Sequence, residues 1–171
     1  APHDWSEQVL RKLALSLECE GTVGVYATPK LAIGCRDYSV DLLDTIRDEI
    51  QLGKVTPYVQ KKKNLPCVQW QVTGFDAVQI AKAAAPFMVC KFQQIDLLLE
   101  YPLGDRHTRV TDEVEKKRQS LGEITNPLNG RGWKPTHPEW TKRAQTWAEW
   151  ASMADEPTRM ELLAQVILRQ R

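Results

Sequence analysis

The sequence contains no apolar run long enough to cross a bilayer, and its opening residues, APHDWSEQ, are polar and do not form a basic-then-apolar leader. A membrane or secreted protein is therefore not expected; a cytoplasmic one is, or an organellar one in a eukaryote. Histidine is scarce. His3, His107 and His137 stand far apart and none has a cysteine beside it, which argues against a zinc site. The four cysteines, Cys19, Cys35, Cys67 and Cys90, lack paired ligand spacing and each sits in an apolar or strand-like stretch, so buried free thiols are expected. Neither sign of charge dominates: 23 Lys+Arg against 22 Asp+Glu leave a formal net charge of +1. That balance neither demands nor excludes a polyanionic partner, because an acid-rich face can offset a basic one. At 171 residues, 42% hydrophobic and 26% charged, the chain suits one domain, or one domain with a helical extension.

What is present is periodic. Leu10, Leu13, Ala14 and Leu17 recur at helical spacing over residues 4–20, and Gly21 follows as a left-handed stop. TVGVYA and LAIGCR then alternate with period two about a link at Thr28, Pro29 and Lys30, which predicts a hairpin. Ser39 is placed to cap a helix carrying the stripe Leu42, Leu43, Ile46 and Ile50, ended by Gly53. KVTPYVQ and CVQWQVT form a second hairpin about KKKNLP. Thr73 and Asp76 read as a capping box for a helix to about Met88, and FQQIDLLLE as another that stops near Pro102. The expected fold is α+β: an antiparallel sheet with helices on one face and further helices at the C-terminal end. There Asp112 with Glu115 opens a helix to about Gly122, and Trp140, Ala144, Trp147 and Ala151 share one helical face. Asp155 and Pro157 open a last helix with the stripe Met160, Leu163, Val166 and Ile167. The Pro- and Gly-rich loop between carries Arg131, Lys134 and His137, which suit either a plain surface loop or phosphate contacts.

The alternation also says what the other sheet face carries. Val23, Val25, Val55, Val59, Val68, Trp70 and Val72 point one way, and Pro57 suggests an edge strand. Gly24, Tyr26, Thr28, Ala32, Gly34, Arg36, Lys54, Thr56, Tyr58, Gln60, Gln69, Gln71 and Thr73 point the other way, with no Asp or Glu among them. One reading is an ordinary solvated face. The other is a base-reading surface, on which the amides and hydroxyls address base edges while Arg36, Lys54 and the lysines Lys61, Lys62 and Lys63 hold phosphates, with Lys30 a further candidate DNA contact.

Two acids stand where they are least welcome. Glu18 and Glu20 end the first helix, where the partial negative charge of the helix disfavours each by roughly 0.3 to 1 kcal/mol. For Glu18 the expected remedy is an ion pair, with Arg36 as a partner. For Glu20, beside the glycine and the sheet, it is a bound cation, and Mg²⁺ takes hard oxygen ligands and leaves room for phosphate and water. One carboxylate per chain is too few for a catalytic metal site, whereas two chains giving one each suffice.

The segment LALSLECEG (Leu13–Gly21) resembles a degenerate copy of the motif that names the LAGLIDADG homing endonucleases, and the elements over residues 6–101 follow the αββαββα order of that family. PFMVCKFQQIDLL (Pro86–Leu98) resembles the segment where the family places a basic residue beside the cleavage site, here Lys91. A single motif in a chain of this length resembles the homodimeric branch. The resemblance implies an LAGLIDADG-like core over 1–101 with a saddle-shaped sheet, and a helical extension over 102–171 packed on it. It also implies an intron-encoded, site-specific double-strand DNA endonuclease: a homodimer whose motif helices meet at a two-fold axis, with no small-molecule substrate. Glu20 and the backbone carbonyl of Cys19 would ligate Mg²⁺, and Lys91 would stabilise developing charge. There are departures. Leu15 stands where the family has a small residue, so a wider helix crossing is expected; Glu20 replaces the commoner Asp; and Cys35 and Arg36 occupy the strand end where the family positions water, with Arg36 the better suited. The alternative is a catalytically silent DNA- or RNA-binding protein of the same fold, maturase-like or a regulator. A third is an unrelated protein whose sheet face binds another protein.

Overall fold

A computed structural model describes residues 3–37, 40–104, 109–129 and 138–161. Ser39, His107, Arg131, Lys134, His137, Leu163, Val166 and Ile167 lie outside the described residues. Helix α1 (Glu7–Glu20) begins where the Ser6 hydroxyl accepts the N–H of Val9 at 3.3 Å, and its stripe Leu10, Leu13, Ala14 and Leu17 is buried as expected. It does not end in a left-handed turn: Gly21 is extended, at φ −98° and ψ 165°. Glycine is required there by close approach, since a Cβ would lie 2.5 Å from the Leu17 Cα. The chain therefore runs from the helix directly into the sheet.

Strands β1 (Gly21–Tyr26) and β2 (Thr28–Arg36) pair antiparallel about Ala27 alone, which takes φ 60°. The longer link expected at Thr28, Pro29 and Lys30 is instead the start of β2, with Pro29 buried opposite Val25. Helix α2 (Val40–Ile50) buries its stripe, and two indoles satisfy carbonyls at its C-terminal end: Trp5 donates to Ile50 O and Trp70 to Leu52 O, both at 3.0 Å. Strands β3 (Lys54–Gln60) and β4 (Leu65–Thr73) complete a four-stranded antiparallel sheet of order β1-β2-β4-β3. Pro57 lies on an edge strand, as its missing donor requires. Val59, on the same edge strand, is exposed rather than buried.

Helix α3 (Gly74–Ala84) follows Thr73, whose side chain makes no capping bond, so the expected capping box does not form. A short 3₁₀ turn, Ala85–Phe87, leads towards α4 (Phe92–Leu99). Leu13, Leu17, Leu31, Ile33, Leu43, Ile50, Trp70, Ile80, Met88, Ile95 and Leu98 form one buried core between the sheet and helices α1 to α4. The order α1-β1-β2-α2-β3-β4-α3 is the αββαββα expected from the sequence. No described helix is long and apolar enough to cross a membrane.

Two further helices follow. α5 (Asp112–Thr125) is capped by Thr111, whose hydroxyl accepts the N–H of Val114 at 3.3 Å; Asp112, expected as the cap, is in the first turn. α6 is Glu139–Met153. After it the Asp155 carboxylate accepts the N–H of Thr158 at 2.8 Å, and Met160 is exposed, unlike the expected stripe. Between α5 and α6 the short turn Asn126–Asn129 lies along the free edge of β1. Asn126 accepts the Val25 N–H at 3.1 Å and donates to Val25 O at 3.0 Å. Asn129 donates to Val23 O at 2.7 Å. Two side chains thus stand in for a neighbouring strand, and Gly24, expected to face outward, is buried with Asn126 Oδ1 against it.

Helix α6 touches α1 and the segment 85–90 through its side chains. The Arg11 guanidinium, buried on α1, sits 4.7 Å from the Phe87 ring, 4.8 Å from Trp147 and 4.2 Å from Trp150, and it pairs with Glu7 at 2.8 Å. Trp147 donates to Phe87 O at 2.6 Å, and Arg143 donates to Ala85 O and Met88 O at 3.0 and 3.1 Å. Lys12, also buried, reaches Glu49 at 2.6 Å and Glu161 at 2.8 Å. Burial alone would lower the Lys12 pKa, but the hydrogen bonds of the two carboxylates hold it above 10.5. The cysteines are less buried than expected. Cys67 is buried and Cys35 and Cys90 are partly so, while Cys19 is exposed because it shares the projecting last turn of α1 with Glu20.

Candidate nucleic-acid interface and acid site

Strand register assembles the helix-free sheet face into rows. Across the strands run Thr22, Ala32, Gln71 and Lys54; then Gly34, Gln69 and Thr56; then Arg36, Cys67 and Tyr58; and Lys30 lies opposite Thr73. Tyr26 pairs with Thr28 at the tip of the first hairpin, and Gln60 with Leu65 at the root of the second, whose turn holds the exposed Lys61 and Lys62. Every expected contact residue on the strands, Tyr26, Thr28, Lys30, Arg36, Lys54, Thr56, Tyr58, Gln60, Gln69 and Gln71, thus falls on one face. Amides, hydroxyls and cations alternate there with no carboxylate among these strand positions. Such a set can address base edges and phosphates together. Cys35 packs against the core, which leaves Arg36 on the outer face.

Glu20 stands at one end of this face. Gly21 pairs with Ile33, so the end of β2, Gly34 to Arg36, runs past the end of α1. Tyr58, expected among the base contacts, reaches across β4 into this corner: its hydroxyl lies 2.9 Å from where a Gly34 Cβ would be. Burial, then the Cys67 sulfur to which it bonds, then Cys35 and Glu20, push the phenol above its ordinary pKa of 10.0. Glycine at position 34 leaves room for that ring.

Lys91 closes the corner from below. Its ammonium donates to Leu17 O at 2.7 Å and to Gly21 O, the carbonyls at the C-terminal end of α1. Burial lowers its pKa from 10.5, although the Glu18, Cys19 and Glu20 side chains pull in the opposite direction. A lysine ammonium has three N–H groups, so two bonded carbonyls leave one for another acceptor. Among the described residues Glu18 meets backbone amides rather than the Arg36 guanidinium that was expected. Its carboxylate instead accepts three successive backbone N–H groups, from Val89 at 2.8 Å, Cys90 at 2.9 Å and Lys91 at 3.2 Å, at the start of α4. Successive backbone N–H groups in a bend can cradle an anion in this way, and sequence spacing alone does not show which amides an acid will meet. Neither Tyr58 as a neighbour of Glu20 nor Glu18 as a backbone tie was expected from the sequence; the two acids within three residues were a signal for the second, whereas the first follows only from strand register.

Among the described residues no three His, Cys, Asp or Glu side chains gather as a metal cluster. Glu20 is nevertheless a suitable ligand for a hard cation: an exposed carboxylate at a carbonyl-rich helix end, on the rim of a basic face. The Cys19 carbonyl belongs to the same turn. These donors fit a divalent ion if a second protomer supplies the matching pair.

The sequence matches no protein-family model and no curated protein. Solved structures do match. The homing endonuclease I-CvuI, in complex with its target in the presence of calcium, is 14% identical, with a TM-score of 0.57 over 83% of this chain and 94% of that one. The same endonuclease in complex with the I-CreI target in the presence of magnesium, its DNA not cleaved, is 12% identical, with a TM-score of 0.58 over 81% of this chain and 94% of that one. At these identities the likeness establishes the fold.

Proposed function

From the fold it shares with the LAGLIDADG homing endonucleases, we propose that this chain is one subunit of a homodimeric, site-specific double-strand DNA endonuclease dependent on Mg²⁺. Residues 1–101 are the DNA-binding and cutting core, and residues 102–171 brace it. The observation that carries the reading is the corner where Tyr58 and Lys91 both lie near Glu20, with Arg36 in the same strand row as Tyr58, at the end of an acid-free sheet face. Two protomers meet through α1, where Leu15 borders a largely apolar groove of about 340 Å³ that is also lined by Glu18, Phe87, Val89, Cys90, Ala144 and Trp147. With Leu15 at the crossing and α6 alongside, the contact is broader than one between bare helices. The two sheets then straddle the major groove of a near-palindromic duplex.

In each half-site the Glu20 carboxylate and the Cys19 carbonyl would hold the ion, which would supply polarisation of the scissile phosphate and a lowered pKa for the attacking water. The free N–H of Lys91 faces the phosphate oxygens and offsets the charge that develops on them. Arg36 orients phosphate or water from the sheet side, and Gln69, Gln71, Thr56 and Lys54 read and hold the flanking bases and backbone. The test compares parent and Glu20→Gln on a library of duplexes with Mg²⁺. Loss of cutting with retained binding is expected. Cutting at the parent's rate would contradict the site assignment, and a parent that binds without cutting would favour the silent DNA- or RNA-binding alternative.

A further inference from the structure

We propose that Glu18 is a positioning residue: it ties the start of α4 to the last turn of α1 and so holds Lys91 beside Glu20. The inference rests on the endonuclease reading for the importance of that lysine. Glu18 Oε1 accepts the N–H groups of Val89 and Lys91 at 2.8 and 3.2 Å, and Oε2 accepts that of Cys90 at 2.9 Å. A carboxylate near the C-terminal end of its own helix is disfavoured, but here three successive backbone N–H groups of the bend just ahead of α4 compensate it through charge-assisted bonds. Lys91 is thereby fixed at two points on the same turn. Its amide is bound to Glu18, and its ammonium to Leu17 O and Gly21 O. The first point sets where the side chain starts, and the second where it ends. Without the first, the segment at 89–91 is free to move away from α1, carrying the lysine stem with it. A displacement of about 1 Å at a reacting group can cost roughly 10²-fold in rate.

The test uses the full chain and two variants, Glu18→Gln, which keeps the shape and removes the charge, and Glu18→Asp, which keeps the charge on a shorter arm. Three quantities are read: amide exchange at Val89, Cys90 and Lys91; the rate of reductive methylation of the Lys91 amine against the surface Lys82; and single-turnover cleavage with duplex affinity. For Glu18→Gln the expected result is faster exchange at all three amides and faster methylation of Lys91 but not of Lys82. Cleavage falls by about 10²-fold while duplex affinity is unchanged, and Glu18→Asp recovers part of the rate. Unchanged methylation of Lys91, or a parental cleavage rate despite faster amide exchange, would overturn the proposal. If the parent cuts no duplex but Lys91 is unmasked in Glu18→Gln, the endonuclease reading falls and the positioning of Lys91 by Glu18 stands.

Discussion

At the scale of single residues, the corner beside Glu20 joins a buried cation to two helix carbonyls. Burial lowers the Lys91 pKa, so the folded protein binds fewer protons there than the unfolded chain between the lowered value and 10.5. Stability should therefore rise as pH climbs through that window, since below it the cost of keeping the ammonium charged is fully present. Cleavage should move the other way, because it uses the charged form. We expect the alkaline limb of the cleavage rate below the ordinary lysine range, and Lys91→Arg should move it upward; a limb that does not move would remove Lys91 from the chemistry. Gly34 gives a second check. Its Cβ would stand 2.9 Å from the Tyr58 hydroxyl, so Gly34→Ala should displace the ring, visible as a lowered phenol pKa by absorbance titration as Tyr58 leaves its buried place. An unchanged titration would mean that the ring already lies elsewhere.

At the scale of elements, two attachments hold the C-terminal helices. The side chains of Asn126 and Asn129 occupy the edge of β1 with the hydrogen-bonding pattern of a strand. An open edge invites pairing with another chain. In Asn126→Ala with Asn129→Ala we expect faster amide exchange at Val25, a loss of about 2 kcal/mol, and sheet-edge self-association at high concentration. Unaltered exchange at Val25 would show that the edge is closed by something else. The Arg11 guanidinium among three aromatic rings joins α6 to α1, and Trp147→Ala should cost about 2 kcal/mol in chemical denaturation. Neither attachment was legible in the sequence. Tryptophans at helical spacing in α6 announced a packed face but not its target, and asparagines in a turn read as turn formers. The αββαββα core was legible because period-two and period-3.6 patterns record which side of each element meets apolar neighbours. What those patterns omit is backbone accounting. They did not show that Gly21 is forced by contact with Leu17, that Thr73 leaves its helix uncapped, or that Glu18 turns to amides rather than to Arg36.

At the scale of the whole molecule, the balanced net charge hides a one-sided surface. Lys30, Arg36, Lys54, Lys61 and Lys62 lie on or beside the helix-free face, and acids such as Asp41, Asp44, Asp48, Glu113 and Glu115 lie on helices. Duplex affinity should fall steeply with salt, with a slope of about −0.9 per phosphate contact, and Lys54→Ala should lower the slope by about one. A salt-independent affinity would favour a protein partner instead. In the proposed enzyme two copies share one cutting site, each lending Glu20. The most direct measurement is cleavage by parent chain refolded together with increasing fractions of Glu20→Gln, at constant total protein. If both carboxylates serve the same site, activity follows the square of the parental fraction, so an equal mixture retains about one quarter of the parent's rate. Activity proportional to the parental fraction, about one half in that mixture, would mean that each chain cuts alone and would contradict the account.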